Sequence, residues 1–229
     1  MGKPTLPMKM VPKRPLKQDV TLGTLEDMSK RVKNWGRWGP DDQLGTLNFV
    51  TPDDIRKAAS LVKKGKAFAL GLDFNANGPQ RTGWGGRFNP IHTMLATGTD
   101  AVAGTQDAGK IRYADDMVSM PLQCGTQWDA LGHIFYGEKM WNGYDARLVD
   151  STGAKKNGIH KTRDRMVGRG VLLDIPRHLG GDYLEDGFGV GNAELDACAK
   201  DRVYEFLFCG PPLPITGAVG SPINPMAIK

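Results

Sequence analysis

The stretch TPDDIRKAASLVKKGKAFALGLDF, residues 51 to 74, constrains the fold most, because it specifies a helix and then a strand in immediate succession. Thr51 is placed to accept from the first free backbone N–H groups, Pro52 suits the first helical position, and Asp54 sits at the positive end of the helix dipole. Ile55, Ala58, Ala59 and Val62 recur at the spacing of one helix face, and Lys63, Lys64 and Gly65 suit a C-terminus, so the helix is expected to end near Lys64. Phe68, Leu70 and Leu72 then alternate, which predicts a strand leaving that helix. A chain organised in this way mixes α and β elements.

Three further elements are legible downstream. RGVLLDIP, residues 169 to 176, is a short apolar run between Gly and Pro and predicts a buried strand; NAELDACAK from Asn192 predicts a short helix; VYEFLFCG from Val203 predicts another strand. Residues 75 to 110 are rich in Gly, Asn and Thr and read mostly as loop. Within them Trp84 and His92 suit either an active-site cover that touches substrate or ordinary packing. The C-terminal PPLPITGAVGSPINPMAIK is punctuated by Pro and Gly and is expected to wrap the surface. Residues 1 to 20, broken by Pro4, Pro7, Pro12 and Pro15, read as a basic, Pro-rich flexible arm, laid across a partner subunit or simply disordered, and residues 21 to 229 as a single domain.

Charge and cysteine content exclude several functions. The first eighteen residues carry Lys3, Lys9, Lys13, Arg14 and Lys17 with no acid, which accounts for the whole net charge of +5, so the body is neutral and offers no basic stripe to nucleic acid. No continuous apolar run marks a signal or a membrane anchor, and the expected location is the cytoplasm. Cys124, Cys198 and Cys209 are odd in number and lack CxxC spacing, which fits reduced thiols rather than a disulfide framework or a structural zinc site. Cys124 reads as a buried structural thiol, Asp174 as a turn or cap residue, His160 as an exposed loop residue and His178 as solvent exposed.

The chemistry concentrates in QCGTQWDALGH, residues 123 to 133. If the segment is a strand, Gln123, Gly125, Gln127 and Asp129 share one face, and a turn at Ala130-Leu131-Gly132 would bring His133 back to the same pocket. Carboxylate oxygen and imidazole nitrogen suit zinc or manganese, with the glutamine amide oxygens as weak additional ligands. The same pair also reads as a hydrogen-bonded surface couple.

This segment resembles the signature of the cyclase family of metal-dependent hydrolases, which includes bacterial-type kynurenine formamidases and isatin hydrolases: His-x-Gly-Thr-His-x-Asp-x-x-x-His. Gly125-Thr126, Asp129 and His133 match the pattern, while Gln123 and Gln127 stand where it has its first two histidines. WGPDDQLGTLNFVTPDDIRKAASLVKKGKAF, GRGVLLDIPR and CGPPLPITGAVGSPINPMAIK resemble other parts of the same family, so the likeness runs from residue 35 to 229. The resemblance implies an α+β fold with a swivelling β/β/α mixed sheet and flanking helices, a homo-oligomer, and hydrolysis of an amide, lactam or lactone bond in a small molecule such as an aryl formamide. It further implies a zinc or manganese ion held by Asp129, Gln127, Gln123 and His133, with His133 moving the proton. A catalytically impaired relative that binds a ligand or a subunit is the alternative. Family members carry further strands and ligands before the YEFLFCG strand, where this chain has only Asp201 and Arg202, so an internal deletion near 200 to 202 is expected, leaving unpaired edges on RGVLLDIP and VYEFLFCG.

Overall fold

The structure, a computed structural model, describes residues 7–15, 20–80, 83–201 and 204–229. Its elements in chain order are β1 (Met10–Val11), α1 (Leu22–Val32), α2 (Pro52–Ala59), β2 (Ala67–Ala69), β3 (Ile91–Ala96), α3 (Gly98–Val102), β4 (Asp115–Ser119), β5 (Gln127–Asp129), β6 (Val149–Asp150) and β7 (Gly153–Ala154). They continue with β8 (Val167–Leu172), α4 (Ile175–His178), β9 (Tyr183–Leu184), α5 (Asn192–Asp201), β10 (Tyr204–Cys209), β11 (Gly220–Pro222) and β12 (Met226–Ile228). This is an α+β fold in which short helices flank several small sheets. The largest sheet runs β2-β12-β10-β8, all antiparallel, while β1 and β9 form a parallel pair. Among the described residues no helix is long and apolar enough to cross a membrane.

The start of α2 is as the sequence predicts. Thr51 is the N-cap, its side chain accepts from the Asp54 N–H, and the Asp54 carboxylate accepts from the Thr51 N–H at 2.9 Å. The Thr51 hydroxyl, which donates to the same carboxylate at 2.6 Å, and then the Thr51 N–H hold the Asp54 carboxyl below the usual carboxylate range. The end is different: the helix stops at Ala59, and the N–H groups of Lys64 and Lys66 instead donate to the Lys229 carbonyl at 3.2 and 3.0 Å. Tertiary pairing with the C-terminal strand thus takes the residues that periodicity assigned to the last helical turn, and β2 follows as only three residues.

That same pairing corrects the reading of the C-terminal segment as a surface wrap. β12 lies between β2 and β10, β11 pairs with β5, and Ser221, Ile223 and Ala227 are buried. Pro and Gly punctuate this stretch because its strands are three residues each, too short to show alternation. RGVLLDIP is also not the buried strand expected: β8 is an edge strand with Val171 and Leu172 exposed, and Asp174 caps α4 by accepting from the Arg177 N–H. β10, by contrast, has a neighbour on each side, so only one of the two strands expected to lose a neighbour has an open edge.

Three other expectations change. Residues 75 to 110 contain β3 and α3 as well as loop; the signal overlooked was Thr97 followed by Asp100, a capping box in which each side chain accepts from the other's backbone N–H. In the N-terminal arm, Met10 and Val11 pair with Tyr183 and Leu184 of the same chain, and the Lys9 and Lys13 N–H groups donate to Asp182 and Glu185. The expected deletion near 200 to 202 falls partly on residues 202 and 203, outside the described residues; α5 ends at Asp201 and β10 begins at Tyr204.

Candidate functional site

β5 carries the site. Gln127, Trp128 and Asp129 pair with Pro222, Ser221 and Gly220 of β11, and the pairing is prolonged by Ile223 N–H donating to the Thr126 carbonyl at 3.1 Å and Ala130 N–H to the Val219 carbonyl at 2.9 Å. Alternation sends Trp128 to the back, where its indole N–H donates to the Gly210 carbonyl at 2.7 Å and its ring meets Phe208 edge-on at 6.1 Å. Gln127 and Asp129 point to the front. A cavity of about 360 Å³ lined by Phe49, Val50, Trp128, Met166 and Phe208 belongs to the back.

The strand is shorter than expected. Residues 123 to 126 form a turn, with the Cys124 N–H donating to the Pro121 carbonyl at 3.1 Å and Gly125 at φ +66°. A β-carbon at Gly125 would also lie 3.0 Å from the Phe74 ring, so conformation and space both call for glycine there. Gln123 therefore reaches the site by the turn rather than by alternation. Its amide lies over Gly220, the residue paired with Asp129, and a β-carbon at Gly220 would run into Gln123 Nε2. Cys124 is fully buried, as predicted, and burial pushes its thiol up.

The return of His133 depends on the turn foreseen at Ala130-Leu131-Gly132. The His133 N–H donates to the Ala130 carbonyl at 2.9 Å, and the Gly132 N–H to the Asn157 carbonyl at 3.0 Å. His133 Nε2 thereby comes to 3.9 Å from Asp129 Oδ1, beyond hydrogen-bond length, while Gln127 Nε2 donates to the same oxygen at 3.3 Å. The Asp129 side chain is 46% exposed and that of His133 19%, so the site meets solvent on the aspartate side.

Two amide atoms here are buried without a partner: Gln123 Nε2 and Gln127 Oε1. Each such atom costs about 1–3 kcal/mol until something pairs with it. One is a donor and the other an acceptor, and a cation would satisfy only the acceptor. The remaining donors are one carboxylate and one imidazole, and among the described residues no group of three or more His, Cys, Asp or Glu could hold a metal. This set does not fit a resident zinc or manganese ion, which draws on several imidazoles, thiolates or carboxylates.

Of the remaining candidates, His92 stands on β3 and pairs with Asp116 at 2.8 Å on an exposed hairpin, with its side chain 60% exposed. Trp84 begins a single 3₁₀ turn, Trp84–Gly86, and its side chain lies outside the described residues. His160 is not an exposed loop residue: its Nδ1 accepts from the Gly217 N–H at 3.3 Å, and burial, with Lys161 and Arg163 nearby, pushes the imidazole down. The residue that sequence reasoning missed is Asn157. It is 1% exposed at φ +58°, donates from Nδ2 to the Trp141 carbonyl at 2.9 Å, and supplies the carbonyl that anchors the His133 turn. The only local signal was Asn-Gly at 157 and 158, a turn dipeptide.

Comparison with known proteins bears on this geometry. The Cyclase family model matches residues 27–205. A crystal structure described as that of a novel cyclase superposes with a TM-score of 0.80 at 30% sequence identity, covering 86% of this chain and 99% of the other. No match is found among curated proteins.

Proposed function

This chain belongs to the cyclase family, and we propose that it binds a small amide or lactam at Gln123, Gln127, Asp129 and His133 without a resident metal ion. The observation that carries this reading is the orphaned pair of amide atoms. A lactam presents a carbonyl acceptor and an N–H donor along one edge, the complement of Gln123 Nε2 and Gln127 Oε1. Entry would be from the exposed side of Asp129, displacing the 3.3 Å contact between that carboxylate and Gln127. Satisfying two buried groups at once is the source of affinity.

Metal-dependent hydrolysis of an aryl formamide, lactam or lactone is the second reading. It is favoured by the approach of Asp129 and His133, which places one carboxylate and one imidazole side by side. Calorimetric titration with 2-indolinone and with N-methyl-2-indolinone separates the two. The methyl group removes the N–H that would pair with Gln127, so the parent lactam is expected to bind about tenfold more tightly, in metal-free buffer. Equal affinities, or binding seen only after zinc or manganese is added, would favour the second reading.

A further inference from the structure

The sheet β2-β12-β10-β8 has one face that the rest of the chain covers only in part. Phe208 of β10 stands opposite both Gly168 of β8 and Ala227 of β12, and Ala227 stands opposite Phe68 of β2, so these side chains share that face. Alternation adds Phe206 and Tyr204 to it, opposite Gly170 and Leu172. At the Gly168 end Val50, just before α2, lies over the sheet, and a β-carbon on Gly168 would come 3.7 Å from it. Further along, a groove of about 450 Å³ draws on all four strands and is lined by Phe68, Leu70, Leu172, Tyr204, Phe206 and Ala227. The Phe206 ring can lie flat as part of its floor only because residue 170 is glycine, where a β-carbon would run into the ring.

One end of this apolar groove is cationic. The Lys66 N–H donates to the Lys229 carbonyl at 3.0 Å and the Lys229 N–H to the Lys66 carbonyl at 2.9 Å, so the two lysines face each other directly across adjacent strands. Alternation puts both on the face of Phe68 and Ala227. Their ammonium groups lie over rings of the groove, Lys66 Nζ 4.8 Å from the Phe68 centroid and Lys229 Nζ 5.9 Å from the Tyr204 centroid. Like charges set directly opposite across a ladder repel. Among the described residues neither lysine has a carboxylate partner, and the one acid lining the groove, Glu205, is ion-paired with Arg169.

We infer that this groove binds a free medium-chain fatty acid, with its carboxylate between Lys66 and Lys229 and its chain laid across Ala227 and Phe206 toward Leu172. Charge complementarity selects the occupant. An anion placed between the two lysines relieves their repulsion, which a neutral or cationic ligand of the same shape does not do. The apolar floor takes the chain out of water. Four strands set the ends of the groove about 14 Å apart, a span suited to an extended acyl chain. The recess holds one such chain, whereas a bilayer presents a flat surface to it. The groove shares no residue with the β5 site, so this binding is separate from the function proposed there.

Calorimetric titration of the full chain with decanoate and with decylammonium, each below its micelle-forming concentration, tests this. Decanoate is expected to saturate a single site and to bind at least about tenfold more tightly than decylammonium, which has the same chain and the opposite head charge. Lys66→Glu alters an exposed side chain and sets a carboxylate opposite Lys229. It should lower decanoate affinity at least about tenfold while raising the melting temperature of the ligand-free protein by about 1–3 °C, because an opposite-charge pair replaces a repelling one. A variant that had merely misfolded would melt lower, so the two readouts together keep the binding result interpretable. No saturable decanoate binding, equal binding of decylammonium, or undiminished binding in Lys66→Glu would overturn the inference. Adsorption to phosphatidylglycerol vesicles that decanoate does not displace would overturn it too, by making the face a membrane surface.

Discussion

Replacing Gln123 and Gln127 together by histidine is expected to raise zinc affinity by on the order of a thousandfold, measured by competition with a chromophoric chelator. The geometry supplies the reason. Gln127 already touches the Asp129 carboxylate at 3.3 Å, Gln123 lies over the glycine paired with Asp129, and His133 stands 3.9 Å from the same carboxylate. Two imidazoles at these positions would give three histidines and one aspartate around a common point, in place of a set that offers an N–H group to the cation. Either substitution alone should recover less than half of the gain in free energy, because neighbouring ligands act together. No gain in the double variant would mean that the side chains are not aimed at one point.

The largest expected loss of stability comes from Asn157→Ala, about 2–4 kcal/mol by thermal or urea unfolding. Removal of the side-chain amide leaves the Trp141 carbonyl, its hydrogen-bond partner at 2.9 Å, without that donor in the interior. Alanine must also adopt φ +58°, which asparagine tolerates better. Asn157→Gly relieves the second cost but not the first and should lose only part as much. The same change should loosen the turn at His133, because the Asn157 carbonyl holds the Gly132 N–H and a β-carbon at Gly132 would lie 3.1 Å from that carbonyl. Both variants melting with the wild type would remove Asn157 from its place in the account.

How much of this was legible in the sequence depended on whether local chemistry or tertiary pairing decided each element. The Thr51-Pro52-Asp54 cap and the turn into His133 were legible because their signals lie within a few residues of one another. Gln127 and His133 both approach Asp129, while Gln123 reaches Gly220, the residue paired with Asp129, through a turn, since Gly125 breaks the strand that alternation assumed. β11 and β12 were hidden because strands of three residues among Pro and Gly carry no readable period. Their positions are set by partners distant in sequence, β5, β10 and β2. Gly220 illustrates the same limit: its importance lies in the Gln123 amide above it, a contact spanning the second half of the chain.

The metal content of the wild-type protein, purified without chelator and dialysed against metal-free buffer, tests the central claim most directly. The donor set of two amides, one carboxylate and one imidazole predicts far less than one equivalent of zinc and manganese combined. Near-stoichiometric zinc or manganese that survives dialysis and disappears in Asp129→Ala would contradict it.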